Sequence, residues 1–148
     1  MIMNNYKIGV VKSLFNKEIT DNLMDGINDY LQNNDYKKKI LEVYDVPGAF
    51  EIPGTVKQLL NKNKYSCIVC IGSVIKGETA HFEFISNAIS NKIISLNTES
   101  NIPIIFGVLT TYTYDQALSR SLINEKNKGG EIIDSAFKAM ATYRQLNN

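Results

Sequence analysis

Short apolar runs alternate along the chain with longer segments in which apolar residues recur every three or four positions. The runs are typical of buried strands. They occupy residues 7–11, 39–44, 67–71 and 104–109. Helical spacing follows each run, as in Ile19, Leu23 and Ile27 after the first. Four strands each followed by helix predict an α/β fold, a three-layer sandwich in which helices flank a four-stranded parallel sheet.

The same pattern predicts where a ligand would bind, because ligands of open α/β sheets lie outside the carboxyl ends of the strands. The residues that follow the four strands in turn are Phe15 and Asn16, then Ala49, Phe50 and Glu51, then the segment 72–81, then Thr110 and Thr111. Four loops that meet at one edge of a sheet predict a pocket there.

Three residues near this edge have two interpretations each. Phe15 and Phe50 either stack on a planar ligand or belong to the core, and the sequence leaves both open. Glu51 either contacts a ligand or complements the dipole of the next helix, which local context favours. Phe106 lies within an apolar strand, so its local context predicts a core residue.

The segment 72–81 links the third strand to a helix. Gly72 and Gly77 have the spacing of a P-loop, but Glu78 and Thr79 follow where that motif has lysine and a hydroxyl residue. A carboxylate at this place would repel a triphosphate, which argues against ATP or GTP. Free N–H groups at the helix start favour a single phosphate instead, with Thr79 as a further donor.

His81 is the single histidine of the chain, and it falls in the first turn of the predicted helix. The positive end of the helix disfavours the imidazolium, and a neutral imidazole suits proton transfer. The alternative is a surface or capping histidine. Arginine occurs only at positions 120 and 144, so Arg120 indicates planar contacts with an oxyanion, unless codon bias explains the composition. Lys128 is a further candidate anion contact or a solvated lysine.

Length, charge and composition argue against several classes of function. A length of 148 residues predicts one domain over residues 1–148, and a net charge of +1 gives no electrostatic footprint for nucleic acid. The apolar runs fall short of the roughly 18 residues of a membrane span, and a signal-peptide pattern is absent, which predicts a cytoplasmic protein. Cys67 and Cys70 lie inside an apolar run, so we expect buried structural cysteines and no metal site.

Four segments occur together in one order, at residues 46–51, 72–81, 103–111 and 127–129. Each alone is a weak signal. In this order and spacing they resemble the 6,7-dimethyl-8-ribityllumazine synthase family, from about Lys7 to the last helix. The resemblance implies a flavodoxin-like fold and the condensation of 5-amino-6-(D-ribitylamino)uracil with 3,4-dihydroxy-2-butanone 4-phosphate. Water and phosphate are released, and the family uses no metal or organic cofactor.

The resemblance also implies roles for individual residues. Those that would meet the pyrimidine and its ribityl chain are Phe15, Ala49, Phe50, Glu51 and the backbone of Ser73, Val74 and Ile75. Those that would hold the phosphate are Glu78, Thr79 and Arg120, while His81 would carry protons. Phe106 and Arg120 would come from the neighbouring subunit of a homopentamer, which raises the expectation that Phe106 touches ligand.

Some expectations stay open. Lys76 stands where the family often has arginine, and Leu14 stands where a polar or basic residue often precedes Phe15. The resemblance further implies an association with riboflavin synthase, and it leaves a pentamer, a decamer and a sixty-subunit shell as alternatives. A flavodoxin-like module that binds a flavin without catalysis is the rival hypothesis, although it gives no reason for His81 beside a phosphate site.

Overall fold

The computed structural model describes residues 5–37 and 40–148 of the chain. Within them, one parallel sheet has the strand order β2-β1-β3-β4. Its strands are β1 (Ile8–Ser13), β2 (Leu41–Val46), β3 (Cys67–Ile75) and β4 (Ile104–Thr111). The helices are α1 (Lys17–Asn33), α2 (Ile52–Leu60), α3 (His81–Glu99), α4 (Tyr114–Ser121) and α5 (Lys128–Leu146). The predicted α/β sandwich with a four-stranded parallel sheet is confirmed.

Two hydrophobic clusters bury the two faces of the sheet. On one face, Val10 and Val69 meet Leu23 of α1 and Ile133 of α5, and α4 joins them through Ala117. On the other face lie α2 and α3. That second cluster contains Val11, Ile68 and Val108 of the sheet together with Val56 and Ile89 of the helices. Successive strand residues face opposite ways, so fully apolar strands are required to bury both faces.

The strands run further than the apolar pattern predicted. β3 ends at Ile75 rather than Ile71, and β4 ends at Thr111 rather than Leu109. The reason is pairing: Ser73 lies opposite Leu109 and Ile75 opposite Thr111, so each strand extends the other. The prediction that residues 72–75 belong to the segment linking the third strand to the helix was therefore wrong, and the connection to α3 is shorter. The predicted start of β2 at Lys39 lies outside the described residues.

The cysteines lie as expected from their apolar run. Cys67 and Cys70 are free and buried, and they belong to the clusters on opposite faces of the sheet. Their side chains therefore point away from each other, and no disulfide could join the two sulfur atoms without movement of the backbone. Burial raises the pKa of the Cys70 thiol to about 12, so both the geometry and the protonated state are those of structural residues.

Within the described parts of the chain, residues 5–37 and 40–148, no helix is long and apolar enough to cross a bilayer. This agrees with the apolar runs of the sequence, which are short strands buried in the sheet.

A carboxylate on β2 supports the edge of the sheet opposite its carboxyl ends. The Tyr65 hydroxyl donates a hydrogen bond to Glu42 Oε2 at 2.7 Å, and Lys64 Nζ lies 2.9 Å from the same oxygen. Lys7 Nζ lies 3.3 Å from Glu42 Oε1. The Tyr65 hydrogen bond, followed by that of Lys64, lowers the pKa of Glu42 from 4.5 to about 2.

We expect Glu42→Gln to lower the stability of the protein at neutral pH, and the loss to shrink in acid. The pKa of Glu42 is lower in the folded state than in the unfolded state, so its ionised carboxylate stabilises the protein when the pH is above the unfolded-state pKa. This contribution disappears as the pH falls through the folded-state pKa. Denaturant unfolding between pH 7 and pH 3 measures the difference in the free energy of unfolding between variant and parent. This difference should become smaller below about pH 4.5. Glu125→Gln, at an exposed turn position, is the matched control, and an equal gap there would contradict the assignment.

Candidate active site

The carboxyl ends of all four strands meet at one edge of the sheet, because the strands are parallel. Together with the end of β3 and the start of α3, the connections that leave this edge contain most of the predicted site residues. They are the turn after β1, the 3₁₀ turn before α2, the loop of residues 76–80 between β3 and α3, and the turn between β4 and α4. We call the third of these the β3–α3 loop.

The turn after β1 presents an aromatic ring to solvent. The Phe15 side chain is 69% exposed, which excludes the core interpretation for the isolated chain. The Phe15 N–H donates to Pro47 O at 3.1 Å, and the Asn16 side-chain amide donates to Ser73 O at 2.8 Å. Asn16 adopts a left-handed conformation with φ 55°, which asparagine tolerates better than most residues. The turn that carries the ring is thus fixed between the ends of β2 and β3.

The 3₁₀ turn Ala49–Glu51 provides a second exposed ring. Phe50 is 65% exposed, whereas Ala49 beneath it is buried. Glu51 N–H donates to Gly48 O at 3.2 Å, which closes the turn and leads into α2. The Glu51 side chain makes no capping hydrogen bond to α2, so any contribution of its carboxylate to that helix is through the dipole alone. Pro53 lies in the first turn of α2, where its missing N–H leaves no helix hydrogen bond unmade.

The end of β3 has one open side. Pairing between β1 and β3 stops at Lys12 opposite Ile71, while pairing of β3 with β4 continues to Ile75. Residues 73–75 therefore extend past β1, and this side of their backbone faces the turn that contains Phe15. Ser73 O on this side already accepts from Asn16, and the remaining peptide groups of the strand end are available to hydrogen-bond the edge of a planar heterocycle.

The β3–α3 loop is exposed throughout, and His81 is the first residue of the helix that follows it. Lys76 N–H donates to Thr111 O at 2.9 Å, which anchors the beginning of the loop to β4. His81 N–H donates to Thr79 Oγ1 at 3.4 Å. The N-cap of α3, Ala80, provides no side-chain acceptor, so the N-terminus of a long helix opens onto the loop. This arrangement favours an anion.

Three predicted site residues lie away from this edge within one chain. Arg120 is in the last turn of α4, on the α1 side of the sheet, and its Nη1 donates to Gln116 O at 3.2 Å. Lys128 begins α5 on the same side and pairs with Glu131 at 2.7 Å. The sheet separates both from His81, which lies on α3 at the other face.

Phe106 lies on β4 at the α3 face, and it is 42% exposed, so the prediction of a core residue from its local context was wrong. It is exposed because β4 is an edge strand that α3 only partly covers. It borders a groove of about 340 Å³ together with Ser90 and Ile94 of α3. Those helix positions lie roughly 13–20 Å beyond His81 at a rise of about 1.5 Å per residue. Phe106 is thus too far down the helix to meet the His81 of its own chain.

A larger groove of about 410 Å³ lies at the opposite, amino-terminal edge of the sheet, between the ends of α2 and α3. Its size is no guide to function here, because the exposed rings, the open strand end and His81 are all at the carboxyl edge. The candidate site is therefore an open surface on a single chain rather than this larger cavity.

A family model described as 6,7-dimethyl-8-ribityllumazine synthase matches residues 5–144 of this 148-residue chain. The chain belongs to the 6,7-dimethyl-8-ribityllumazine synthase family. It is accordingly a transferase of riboflavin biosynthesis, with a ribitylaminouracil and a butanone phosphate as substrates. The match confirms the family and the reaction that the four sequence segments indicated, and it gives no support to a flavin-binding module without catalysis.

Two residues at this edge were not among the predicted site residues. Asn16 fastens the Phe15 turn to β3, and Tyr112 lies over Lys76 beside the β3–α3 loop. Asparagine in a short strand-to-helix turn is a recognisable signal for a left-handed residue. The position of the Tyr112 ring has no such local signal, because it depends on the register between β3 and β4.

Proposed function

We propose that the lumazine synthase reaction takes place at the carboxyl edge of the sheet, with Phe15, the end of β3 and the β3–α3 loop as its main elements. The observation that carries the proposal is the exposed His81 at the start of α3, beside a loop whose N–H groups favour an anion. The reaction requires an anion site for the butanone phosphate and a proton carrier near it.

The pyrimidine substrate is proposed to stack on Phe15, with its edge on the backbone of residues 73–75. The ring and this open strand end lie on either side of the Asn16 hydrogen bond, so both surfaces are fixed relative to each other. Ala49, Phe50 and Glu51 are proposed to meet the ribityl chain. The exposed Phe50 ring offers an apolar surface, and the Glu51 carboxylate offers an acceptor for hydroxyl groups.

The phosphate of the second substrate is proposed to lie at the N-terminus of α3, held by Glu78 and Thr79 through the backbone and the threonine hydroxyl. The carboxylate of Glu78 itself repels an anion, so its contribution is the N–H group. Arg120 adds a planar guanidinium, whose donors fit phosphate oxygens in pairs. Lys128 is proposed as a further contact with substrate.

His81 is proposed to move protons while the amine and the ketone form a Schiff base, phosphate leaves and the second ring closes. The amine attacks the carbonyl carbon directly and water departs, so the protein provides no nucleophile. Bringing two substrates together in reactive geometry is then a large share of the rate enhancement. Proton transfer by a positioned imidazole supplies typically a factor of about 10²–10⁴.

We further propose that the site is completed between subunits of a homopentamer, with Phe106 and Arg120 supplied by the neighbour. Two observations support this. Both residues are separated from the His81 of their own chain, Phe106 by roughly 13–20 Å along α3 and Arg120 by the sheet. Apolar side chains are also exposed along α3 and β4, including Phe84, Ile94 and Phe106, which a second chain would cover. Light scattering should then give a particle built from five chains of 16.6 kDa or a multiple of it.

The remaining proposals concern context. Residues 1–148 are proposed to form one lumazine synthase domain, which acts in the cytoplasm. Association with riboflavin synthase, the enzyme that would use the lumazine product, is proposed as well. Co-purification of the two enzymes at low ionic strength tests this association, and their separation into distinct particles would contradict it.

Mixing the purified protein with both substrates tests the proposed function. The expected result is lumazine absorbance together with one equivalent of inorganic phosphate. Omission of either substrate should abolish both signals. A protein that binds riboflavin or the pyrimidine but releases no phosphate above the uncatalysed rate would contradict the proposal.

Arg120→Ala is expected to raise KM for the butanone phosphate about tenfold or more, since hydrogen bonds to charged groups contribute about 1.5–3 kcal/mol each. KM for the pyrimidine should change little. Arg144→Ala is the control, because that arginine lies in the last turn of α5 and stacks on Tyr6. Equal KM values in the Arg120 variant and the parent would contradict the assignment.

Co-assembly of two impaired variants, assayed with the butanone phosphate well below the KM of the Arg120→Ala variant, tests the shared site. If His81 and Arg120 of one site come from different chains, equal mixing of His81→Ala and Arg120→Ala subunits after unfolding and refolding restores about a quarter of the sites. If both residues came from one chain, every site in the mixture would contain one substitution. If the refolded mixture is no more active than the mean of the two variants assayed separately, the shared site is contradicted.

A further inference from the structure

The β3–α3 loop is held at both ends by one aromatic ring. Tyr112 follows the last residue of β4, and Lys76 Nζ lies 5.6 Å from the centre of its ring. The centre of the Phe82 ring lies 6.3 Å from that of Tyr112, and the two rings are tilted by 44°. Lys76 is the residue that opens the loop, and Phe82 directly follows His81. The Tyr112 ring therefore spans the segment that contains every proposed phosphate donor of α3.

The backbone beneath this ring is fixed by α4. The N–H groups of Tyr112 and Thr113 both donate to Gln116 Oε1, at 2.9 and 3.1 Å. The Gln116 N–H in turn donates to Thr113 Oγ1 at 3.1 Å, which completes a capping box. Since Tyr112 is 67% exposed, its ring is not part of the core, and burial alone does not explain these contacts.

The loop has few other tertiary attachments. Lys76 N–H is bonded to β4, whereas residues 77–80 are exposed and Gly77 has open space where a side chain would lie. A loop of this kind samples several arrangements unless its ends are fixed, and an anion site on N–H groups requires the groups to converge. The contacts of one ring with Lys76 and Phe82 fix the distance between those ends.

We propose that Tyr112 is a positioning residue for the phosphate substrate: its ring joins the two ends of the β3–α3 loop and holds the Lys76 ammonium beside the loop's N–H groups. The inference rests on the proposed function, because it deepens the role of the proposed phosphate site. Tyr112 acts through Lys76 and Phe82 and does not itself touch the reacting atoms. Its ring rather than its hydroxyl makes both contacts, by a cation–π interaction with Lys76 and a tilted ring contact with Phe82.

Binding of inorganic phosphate tests the inference without reference to catalysis. Calorimetric or NMR titration should show phosphate binding weakened about five- to twentyfold in Tyr112→Ala, because both ring contacts are lost. Tyr112→Phe keeps the ring and should bind phosphate like the parent. Lys76→Met removes the ammonium and should share the loss. Tyr114→Ala is the matched control, since that exposed tyrosine instead contacts Glu18 of α1.

The kinetic prediction has the same direction. In Tyr112→Ala, KM for the butanone phosphate should rise by the factor measured for phosphate, and KM for the pyrimidine should stay near that of the parent. If the role of Tyr112 were merely structural, Tyr112→Ala would instead change both KM values or lower the melting temperature. Tyr112→Phe would then not restore the parent's KM for the butanone phosphate. Phosphate affinity equal to the parent in Tyr112→Ala, or lost equally in Tyr112→Phe, overturns the inference.

The outcomes separate this inference from the proposed function. A parent protein that binds phosphate but forms no lumazine removes the proposed function, and the role of Tyr112 is then decided by the phosphate titrations. A parent that forms lumazine while Tyr112→Ala binds phosphate normally removes the inference alone. A parent protein that binds no phosphate at the start of α3 removes both.

Discussion

Replacement of His81 by alanine is expected to lower kcat by about 100-fold or somewhat less, with both KM values close to those of the parent. Removing a general acid or base costs typically about 10²–10⁴-fold, and the lower end applies here because the amine and the ketone react without a protein nucleophile. His81 begins α3 with its side chain exposed, so its loss leaves no cavity and should not alter folding.

The measurement is steady-state kinetics with each substrate varied in turn. Glu83→Gln is the matched control, because Glu83 is exposed in the same first turn of α3 and has no proposed role. If His81→Ala kept the kcat of the parent, the proton carrier would have to be another group. A large rise in KM for the butanone phosphate alone would mean that His81 binds the phosphate rather than moving protons.

The edge of the sheet that holds His81 could be predicted from the sequence because it follows from local patterns. Apolar runs fix which segments are strands, parallel connections put their carboxyl ends on one side, and ligands bind there. Gly77 and His81 mark the β3–α3 connection without any knowledge of partners, whereas Gly72 lies inside β3. The structure keeps each of these residues in the element, or directly beside the element, that the pattern indicated.

The errors come from contacts between distant segments. Ser73 to Ile75 belong to β3 because β4 pairs with them, and the apolar run that ended at Ile71 contains no trace of that partner. Phe106 looks like a core residue in its own strand, and it is exposed because the strand order leaves β4 at the edge. Pairing order is a property of the whole fold, so a local pattern predicts the strand but not its neighbours.

The exposure of Phe15 and Phe50 shows a different limit. A phenylalanine next to a strand is compatible with the core or with a ligand surface, and hydrophobicity does not distinguish them. What decides is the backbone of the turn. The Phe15 turn is fastened to Pro47 and Ser73, which directs the ring outward from the sheet edge. Side-chain direction in such turns depends on tertiary hydrogen bonds.

The contact between α1 and α5 is the part of the fold that should be most sensitive to a single methyl group. A Cβ on Gly129 would lie 2.1 Å from the backbone oxygen of Leu23 and 3.1 Å from its Cα. Gly26 of α1 faces the same place, where a Cβ would lie 3.1 Å from the Gly129 Cα. The two helices therefore meet backbone to backbone, and only residues without side chains fit at the crossing.

Gly129→Ala is expected to destabilise the protein by about 3 kcal/mol or more, because the obstacle is helix backbone that cannot rotate aside. Gly26→Ala should cost less, since the closest atom to its Cβ, at 2.7 Å, is Asn127 Oδ1, which can shift at the expense of its capping hydrogen bond from Gly130 N–H. Gly54→Ala in α2 is the control. Its Cβ would meet nothing within 4 Å, so helix propensity predicts an unchanged or slightly higher stability, by up to about 1 kcal/mol.

Denaturant unfolding at one fixed protein concentration would rank the three variants, because subunit association also contributes to stability. The expected order of stability is Gly54→Ala, then Gly26→Ala, then Gly129→Ala. Gly129→Ala as stable as Gly54→Ala would show that α5 can move away from α1 at little cost. Such movement would also shift Lys128, the neighbour of Gly129, so a tolerated substitution would weaken the proposal that Lys128 is a fixed contact for substrate.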